Sequence, residues 1–233
     1  MPIPSDALNN LELLRELPPE HGERLAGLMV ERSFARREIV FKKGDPGQFL
    51  CFLLEGRLQG VDFTLDGREV GLYFVDPGAY FGEMSVLDGD PRPDYVIAVA
   101  RSRVALLPAE EARQLITRMP GIAEKVLLRL TRRLRSVSAQ RTLLGMPNPG
   151  QRVCAQLVQL VVKGVDGRTL IANAPTHQEI AIMINASRET VTRVFQVLQA
   201  KHIVARDGNS LGINDLSYLR DVAEGAIDPP KAG

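Results

Sequence analysis

Little in this sequence can hold a metal or form a disulfide. Its 233 residues include two cysteines, Cys51 and Cys154, and three histidines, His21, His177 and His202. Two thiols in unrelated segments make neither a disulfide framework nor a multi-cysteine metal cluster. None of the histidines falls in the strand-rich stretch described below, so the His/carboxylate clusters of barrel metalloenzymes are missing. There is no P-loop, and nothing else suggests catalysis. No apolar run approaches the roughly 18 residues a membrane helix needs, and Met1-Pro2-Ile3-Pro4 is not the start of a signal peptide. An enzyme, a metal site and a membrane protein are therefore not expected, and the cytoplasm is the expected compartment. Cys51 sits in an apolar run and reads as a core thiol rather than a haem ligand or redox sensor.

What is present is globular: 45% hydrophobic and 24% charged residues exclude a disordered or collagen-like chain. The length suits two domains, or one with an appended arm. Charge is unevenly spread. Residues 1–100 carry 10 Lys/Arg against 17 Asp/Glu, residues 101–147 carry 10 against 3, and residues 148–233 carry 9 against 8. This pattern suggests three pieces with different surroundings.

Residues 1–30 hold a short helical pattern, Leu11, Leu14, Leu17, Leu25 and Leu28, broken by Pro18-Pro19. From Ser33 to Leu107, apolar runs alternate with turn signals. The runs are Ile39–Phe41, Phe49–Leu54, Leu58–Phe63, Val70–Val75, Tyr95–Ala100 and Val104–Leu107. Strands about every ten residues with Gly/Pro turns predict an antiparallel sandwich or barrel. A long helix follows, Gly121 to Leu144, without Gly or Pro in its interior. Ala123, Leu127, Leu130, Leu134, Val137, Arg141 and Leu144 recur at alternating spacings of four and three, a heptad seam with one arginine in it. With Arg132, Arg133 and Arg135 placed on the opposite face, one stripe is left for burial. Pairing with the same helix of a second chain is the expectation; packing on the chain's own sheet is the alternative. Gly145-Met146-Pro147-Asn148-Pro149 ends the helix and reads as a hinge, with Asn148 as the next N-cap and Pro149 at the first helical position.

The remainder predicts a helix over Gln151–Val162, a turn at Asp166-Gly167 and two short, closely spaced helices. After these come a hairpin of Ile203–Ala205 and Leu211–Ile213 around Asp207-Gly208-Asn209, a helix near Leu216–Ala223, and a tail fraying at Asp228-Pro229-Pro230. The two short helices are the most informative part. Thr176 can cap a helix that buries Ile180, Met183 and Ile184; Asn185 suits the left-handed turn; Ser187 can cap a second helix that buries Val191, Val194, Phe195 and Leu198. Arg188, Glu189, Thr192, Arg193 and Gln196 are left outside. Two short helices, a tight turn and a following wing form a winged helix-turn-helix. An arginine fork can bond O6 and N7 of guanine, and a glutamate can accept from the N4 amine of cytosine. Glu189 and Arg193 could also be no more than an i, i+4 pair. The candidate DNA contacts are Thr176, His177, Gln178, Ser187, Arg188, Glu189, Thr192 and Arg193. His177 and His202 would touch phosphate or simply be exposed.

Ser187-Arg188-Glu189-Thr190-Val191-Thr192-Arg193 resembles the recognition helix of the CRP/FNR family of bacterial transcription regulators, on the catabolite-activator side. The order of parts is similar over nearly the whole chain. The resemblance implies that Arg188, Glu189 and Arg193 contact bases of a palindrome with TGTGA-like half-sites, and that RNA polymerase is a partner. The FNR branch lacks an arginine at the position of Arg188, and its cysteine cluster is missing here, so iron–sulfur oxygen sensing is not expected.

Phe81-Gly82-Glu83-Met84-Ser85-Val86-Leu87-Asp88-Gly89-Asp90-Pro91-Arg92 resembles the phosphate-binding cassette of cyclic-nucleotide domains. Gly82 would let a ligand approach the backbone, Glu83 accept from a ribose hydroxyl and Arg92 pair with a phosphate. The alternative is a turn in which Glu83 and Arg92 pair with each other over a pocket that takes no nucleotide. Two departures weigh on the choice. Cyclic AMP binders typically have Ser-Ala after the arginine; here Pro93-Asp94 removes one N–H donor and adds a negative charge. The Thr-Ser pair that meets adenine in those members corresponds to Val137-Ser138. The candidate effector residues are thus Gly82, Glu83, Met84, Ser85, Arg92, Val137 and Ser138. The ligand stays open among cyclic AMP, cyclic di-GMP, and a different or no effector.

The expectation is an α+β protein: residues 1–110 a cyclic-nucleotide-binding-like β-roll (jelly roll) with short N-terminal helices, 111–147 the dimerisation helix and hinge, 148–233 a winged helix-turn-helix. The dimer would form through Ala123, Leu127, Leu130, Leu134, Val137 and Leu144. An effector near Glu83, Arg92, Val137 and Ser138 would bias the hinge and so set the spacing of two recognition helices on double-stranded DNA. The rival is a nucleotide- or partner-sensing signalling module whose C-terminal domain contacts protein instead.

Overall fold

A computed structural model describes residues 4–164 and 167–230. The chain divides into two compact units, one up to Arg133 and one from Leu134 onward. After a 3-10 turn at Ser5–Asn10, the first unit contains α1 (Pro19–Leu28) and five strands, β1 (Val30–Phe34), β2 (Ile39–Phe41), β3 (Phe49–Glu55), β4 (Leu58–Phe63) and β5 (Glu69–Val75). Then come β6 (Tyr80–Phe81), α2 (Glu83–Asp88), β7 (Tyr95–Ala98), β8 (Ser102–Pro108), α3 (Ala109–Arg118) and the start of α4 (Pro120–Leu144). The strands form two antiparallel sheets, in the orders β1-β8-β3-β6 and β2-β7-β4-β5: the turn spacing predicts an antiparallel sandwich or barrel, and the family resemblance a β-roll.

The near-continuous apolar run of β3 has a physical reason: both of its faces are covered. Cys51 and Leu53 point between the sheets, in a cluster with Phe34, Leu58, Phe81, Val96 and Val104. Leu50 and Phe52 point the other way, into a second cluster with Leu11, Leu14, Leu25, Leu107, Leu115, Ile122 and Val126 from the flanking helices. Burial of each large side chain contributes about 1.5–3 kcal/mol. It also raises the Cys51 thiol to about 12, so this residue is a core thiol. Cys154, in the second unit, is free and buried in the same way, its thiol also near 12.

Five parts of the first unit depart from the sequence expectation. Strand β1 was not foreseen, because Val30-Glu31-Arg32-Ser33-Phe34 is mostly polar. It holds the sheet edge through pairing with β8 and a fork from Arg103 to both oxygens of Glu31, 2.7 and 2.9 Å. Two-residue β6 is too short to show a period. The cassette contains a helix, α2, between Gly82 and Gly89, both left-handed with φ 81°. α3, which the sequence pattern did not separate from the expected 111–147 piece, buries Ala112, Leu115 and Ile116. On α4, Ile122 and Val126 are buried in the unit's own core and Leu130 packs against it. Arg133 does not share an exposed face with Arg132 and Arg135: it is half-buried and turned toward the roll. The helix thus carries a core-facing stripe through Ile122 and Val126 beside the largely exposed heptad seam, and Leu130 belongs to both.

The second unit comprises the end of α4, α5 (Pro149–Leu160), β9 (Val162–Lys163), β10 (Thr169–Ile171), α6 (His177–Met183), α7 (Arg188–Ala200), β11 (Val204–Asp207), β12 (Ser210–Ile213) and α8 (Leu216–Glu224). Asn148 caps α5 by accepting from Gly150 N at 2.8 Å, with Pro149 at the first position. The predicted hairpin is present, with Gly208 in the turn at φ 54°. It extends further than expected, into a four-stranded sheet β11-β12-β10-β9. Strands β9 and β10 are too short for a sequence period and exist through that pairing. Of the turn expected at Asp166-Gly167, Asp166 lies outside the described residues; Gly167 has φ 79°. The tail does not fray at its prolines: Pro230 is buried, and Pro229 and Pro230 lie against Gly150. The Gly145–Asn148 segment falls within this unit, where Arg152 donates to Met146 O at 2.9 Å and to Asn185 O at 3.2 Å.

Candidate DNA-reading helix and effector cassette

Local chemistry sets the helix-turn-helix. Thr176 and Glu179 form a reciprocal capping box at the start of α6: Thr176 N donates to Glu179 Oε2 at 2.6 Å, and Glu179 N donates to Thr176 Oγ1 at 3.3 Å. Asn185 makes the turn at φ 49°, with Ala186 N donating to Ala181 O at 3.0 Å. Ser187 caps α7 by accepting from Thr190 N at 3.1 Å. Val191, Val194, Phe195 and Leu198 are buried, so rotation of α7 about its axis is fixed by its packing. Arg188, Glu189, Arg193 and Gln196 are exposed and, with half-buried Thr192, line one shallow concavity. The i, i+4 alternative for Glu189 and Arg193 is not realised: among the described residues no ion pair joins them. The Glu189 carboxyl is held below its usual range by its own backbone N–H and by the Ser187 hydroxyl, so it stays an acceptor.

His177 is half-buried and, among the described residues, makes no ion pair. Its Nδ1 lies 3.0 Å from Thr192 Oγ1, and its ring is 4.5 Å from that of Phe195. Burial, followed by the nearby Arg206 and Arg188, lowers its pKa. Gln178 and Thr176 are exposed at the start of α6. His202 is exposed at φ 57°, with its carbonyl accepting from Asn214 Nδ2 at 2.9 Å. Exposed Arg206 on the wing went unrecognised in the sequence; its place beside a tight Asp-Gly turn was the available signal.

The cassette lies in the first unit and is arranged differently. Arg92 is 4% exposed and donates to two backbone carbonyls, Gly82 O at 2.6 Å and Phe49 O at 2.5 Å, with its guanidinium 4.4 Å above the Phe41 ring. It does not pair with Glu83, which corrects that alternative: the carbonyls of β3 and Gly82 are nearer and take both ends of its fork. Glu83, 1% exposed, meets Arg133 Nη1 at 3.4 Å. Arg133 Nη2 donates to Asp94 Oδ2 at 3.1 Å, Tyr73 Oη donates to Asp94 Oδ1 at 3.1 Å, and the Arg133 guanidinium lies 4.2 Å above the Tyr73 ring. Asp94 is itself 4% exposed. Burial pushes its carboxyl up, against the opposing pull of Arg133 and the Tyr73 hydroxyl. Met84 is half-buried; Ser85 is buried beneath Gly47, its hydroxyl without a hydrogen-bond partner among the described residues, and the same holds for Glu83 Oε2.

Tyr73 and Arg133 were not foreseen as cassette residues. A signal for Arg133 existed, one helical turn before Val137. Val137 and Ser138 fall in the second unit and are exposed; the Ser138 hydroxyl donates to Leu134 O at 3.1 Å. Along the seam, Leu127 is 64% exposed, Leu134 69%, Val137 59% and Leu144 38%, whereas Ala123 and Leu130 are half-buried.

A β-roll with a cassette, followed by a winged helix-turn-helix, defines the class of single-chain transcriptional regulators that join a sensor fold to a DNA-binding one. Residues 31–119 match the family model described as a cyclic nucleotide-binding domain, and residues 151–222 match the Crp-like helix-turn-helix domain. The cyclic AMP receptor protein of Thermus thermophilus is 30% identical over 91% of this chain and 97% of its own. The CRP-like cAMP-activated global transcriptional regulator of Mycobacterium tuberculosis is 31% identical over 80% of this chain and 84% of its own. Among solved structures, FixK2 of Bradyrhizobium japonicum superposes with a TM-score of 0.69 over 83% of this chain and 96% of that one, at 20% identity, a likeness of fold. The chain belongs to the CRP family of transcriptional regulators and is not an enzyme. No helix of the described residues is long and apolar enough to cross a membrane.

Proposed function

We propose that the protein acts as a homodimer in the bacterial cytoplasm and recognises a palindrome with TGTGA-like half-sites, acting on transcription together with RNA polymerase. The observation that carries this reading is the outward set Arg188, Glu189, Thr192 and Arg193 on a helix whose other face is locked in place. Arg188 would read guanine through O6 and N7, Glu189 would accept from a cytosine amine, and Arg193 would take a base or phosphate beside them. Thr176, Gln178 and Ser187 sit where backbone phosphates would pass, and His177 acts behind them through Thr192. Two copies zipped along Leu127, Leu134, Val137 and Leu144 would bury a stripe that a monomer leaves in water, and would set two recognition helices about 34 Å apart. An effector acting in the β-roll cassette would bias the Gly145–Asn148 segment and so the spacing of the pair.

Electrophoretic mobility shift on a TGTGA-type palindrome, against a scrambled duplex of the same length, tests the reading. Preference for the palindrome is expected; equal affinity for both, or none, would favour a C-terminal domain that contacts protein. Ultracentrifugation should find dimers. Leu134→Lys should turn them to monomers at micromolar concentration, since each dimer then buries two charges in its seam. Calorimetry with cyclic AMP and with cyclic di-GMP separates the candidate effectors.

A further inference from the structure

The cassette carries groups that the nucleotide reading does not use: Tyr73, Asp94 and Arg133. We propose that these three residues close the phosphate end of the site and occupy its positive charge, so that this β-roll refuses cyclic mononucleotides. This inference rests on the reading of the cassette as a nucleotide-type site, and it defines that site's specificity.

Three observations converge. First, the guanidinium that could attract an anion is already taken. Arg133 is held between two carboxylates that are 1% and 5% exposed, Glu83 at 3.4 Å and Asp94 at 3.1 Å, and it stacks on the Tyr73 ring at 4.2 Å. The other guanidinium, Arg92, spends one donor from each terminal nitrogen on the carbonyls of Gly82 and Phe49. Second, the charges already balance: Glu83 and Asp94 against Arg92 and Arg133. A cyclic phosphate would bring a third negative charge into a place where the carboxylate of Asp94 is already buried and is held by Arg133 and the Tyr73 hydroxyl. Drawing Arg133 toward the phosphate would strand Asp94 and Glu83 together. Third, the space is filled. A methyl group on Gly60 would lie 2.3 Å from the Tyr73 ring, so that ring lies flat on the bare backbone of β4. Only glycine at position 60 admits it there. Its hydroxyl is then spent on Asp94. Besides the Ser85 hydroxyl, which is buried beneath Gly47, what is left open is an acceptor, Glu83 Oε2. That atom suits a hydroxyl donor such as a sugar and offers nothing to a phosphate. One end of the site fits a nucleotide and the other opposes it.

The closure can be undone by three substitutions made together. In Tyr73→Ser/Pro93→Ser/Asp94→Ala, the ring is removed, an N–H is restored, and Arg133 is released from its second carboxylate. Equilibrium dialysis against cyclic AMP is the measurement, with thermal unfolding and circular dichroism to verify the fold. The wild type should show no saturable binding up to millimolar nucleotide, and the triple variant should bind at least roughly tenfold more tightly, a change of about 1.4 kcal/mol. Micromolar binding by the wild type would overturn the proposal and leave the nucleotide reading standing. A folded triple variant that still ignores cyclic AMP would overturn both. Should the triple variant not fold, the near-isosteric Asp94→Asn takes its place. It should raise affinity to a smaller extent and should speed solvent exchange of the Arg133 guanidinium protons seen by NMR. Unchanged affinity with unchanged exchange would refute Asp94 as the gatekeeper.

Discussion

The recognition helix and the effector cassette are both clusters of arginine with carboxylate, yet they are built in opposite senses. On α7, Arg188, Glu189 and Arg193 project into solvent, and the helix keeps its position through apolar residues on the other side. In the roll, Glu83, Arg92, Asp94 and Arg133 face inward, and their partners are other parts of the same unit. Exposed charges contribute almost nothing to the fold and remain available to a partner. Buried charges must be matched internally, and once matched they become costly to redirect. The contrast therefore predicts that arginines in the two clusters fail differently when removed.

The largest effect is expected at Arg133. Arg133→Leu leaves two buried carboxylates without their counter-charge, and the first unit should lose about 3–5 kcal/mol of stability. Thermal or urea unfolding reads this directly. A variant as stable as the wild type would mean that water reaches Glu83 and Asp94, and the contrast between the clusters would fail. Arg188→Ala makes the complementary case. Its stability should stay within about 0.5 kcal/mol of the wild type. Affinity for the palindrome should fall by about 1–3 kcal/mol per half-site, with specificity relaxed at one base position. Arg188→Lys should recover the phosphate-type attraction but not the base preference, because a single ammonium cannot satisfy O6 and N7 together.

The same contrast explains what could be read in the sequence. The helix-turn-helix was legible almost residue by residue, since its determinants are local: a cap at Thr176, a left-handed Asn185, a cap at Ser187, and an apolar face with helical spacing. The strands of the roll were legible wherever turns and apolar runs alternate. The cassette's partners were not, because Arg133 joins Glu83 across 50 positions and Asp94 across 39, and no short-range pattern encodes that meeting. Strand β1 was hidden for a related reason: its polar side chains are matched by Arg103, 72 positions away from Glu31. The heptad seam of α4 was visible, whereas the second, core-facing stripe through Ile122 and Val126 was masked by it.

His177 belongs to neither pattern, which makes it the finest test of the comparison. It stands in the DNA-reading half but is half-buried, joined to Thr192 and stacked on Phe195, with Arg188 and Arg206 as the charged groups acting on it. Its folded pKa lies below the ordinary imidazole value, chiefly because burial disfavours the cation. The unfolded chain therefore takes up a proton first as pH falls. The stability associated with neutral His177 is complete above the unfolded value of about 6.5, is lost as pH drops from there to the folded value, and changes no further below it. The partial exposure of the ring keeps the loss below about 1 kcal/mol. His177→Gln can hold the Thr192 hydroxyl without titrating, so the variant should flatten the dependence of unfolding midpoint and palindrome affinity between about pH 7 and pH 5. If wild type and His177→Gln trace the same pH profile, the Thr192 contact is an ordinary packing neighbour and His177 does not position the reading face.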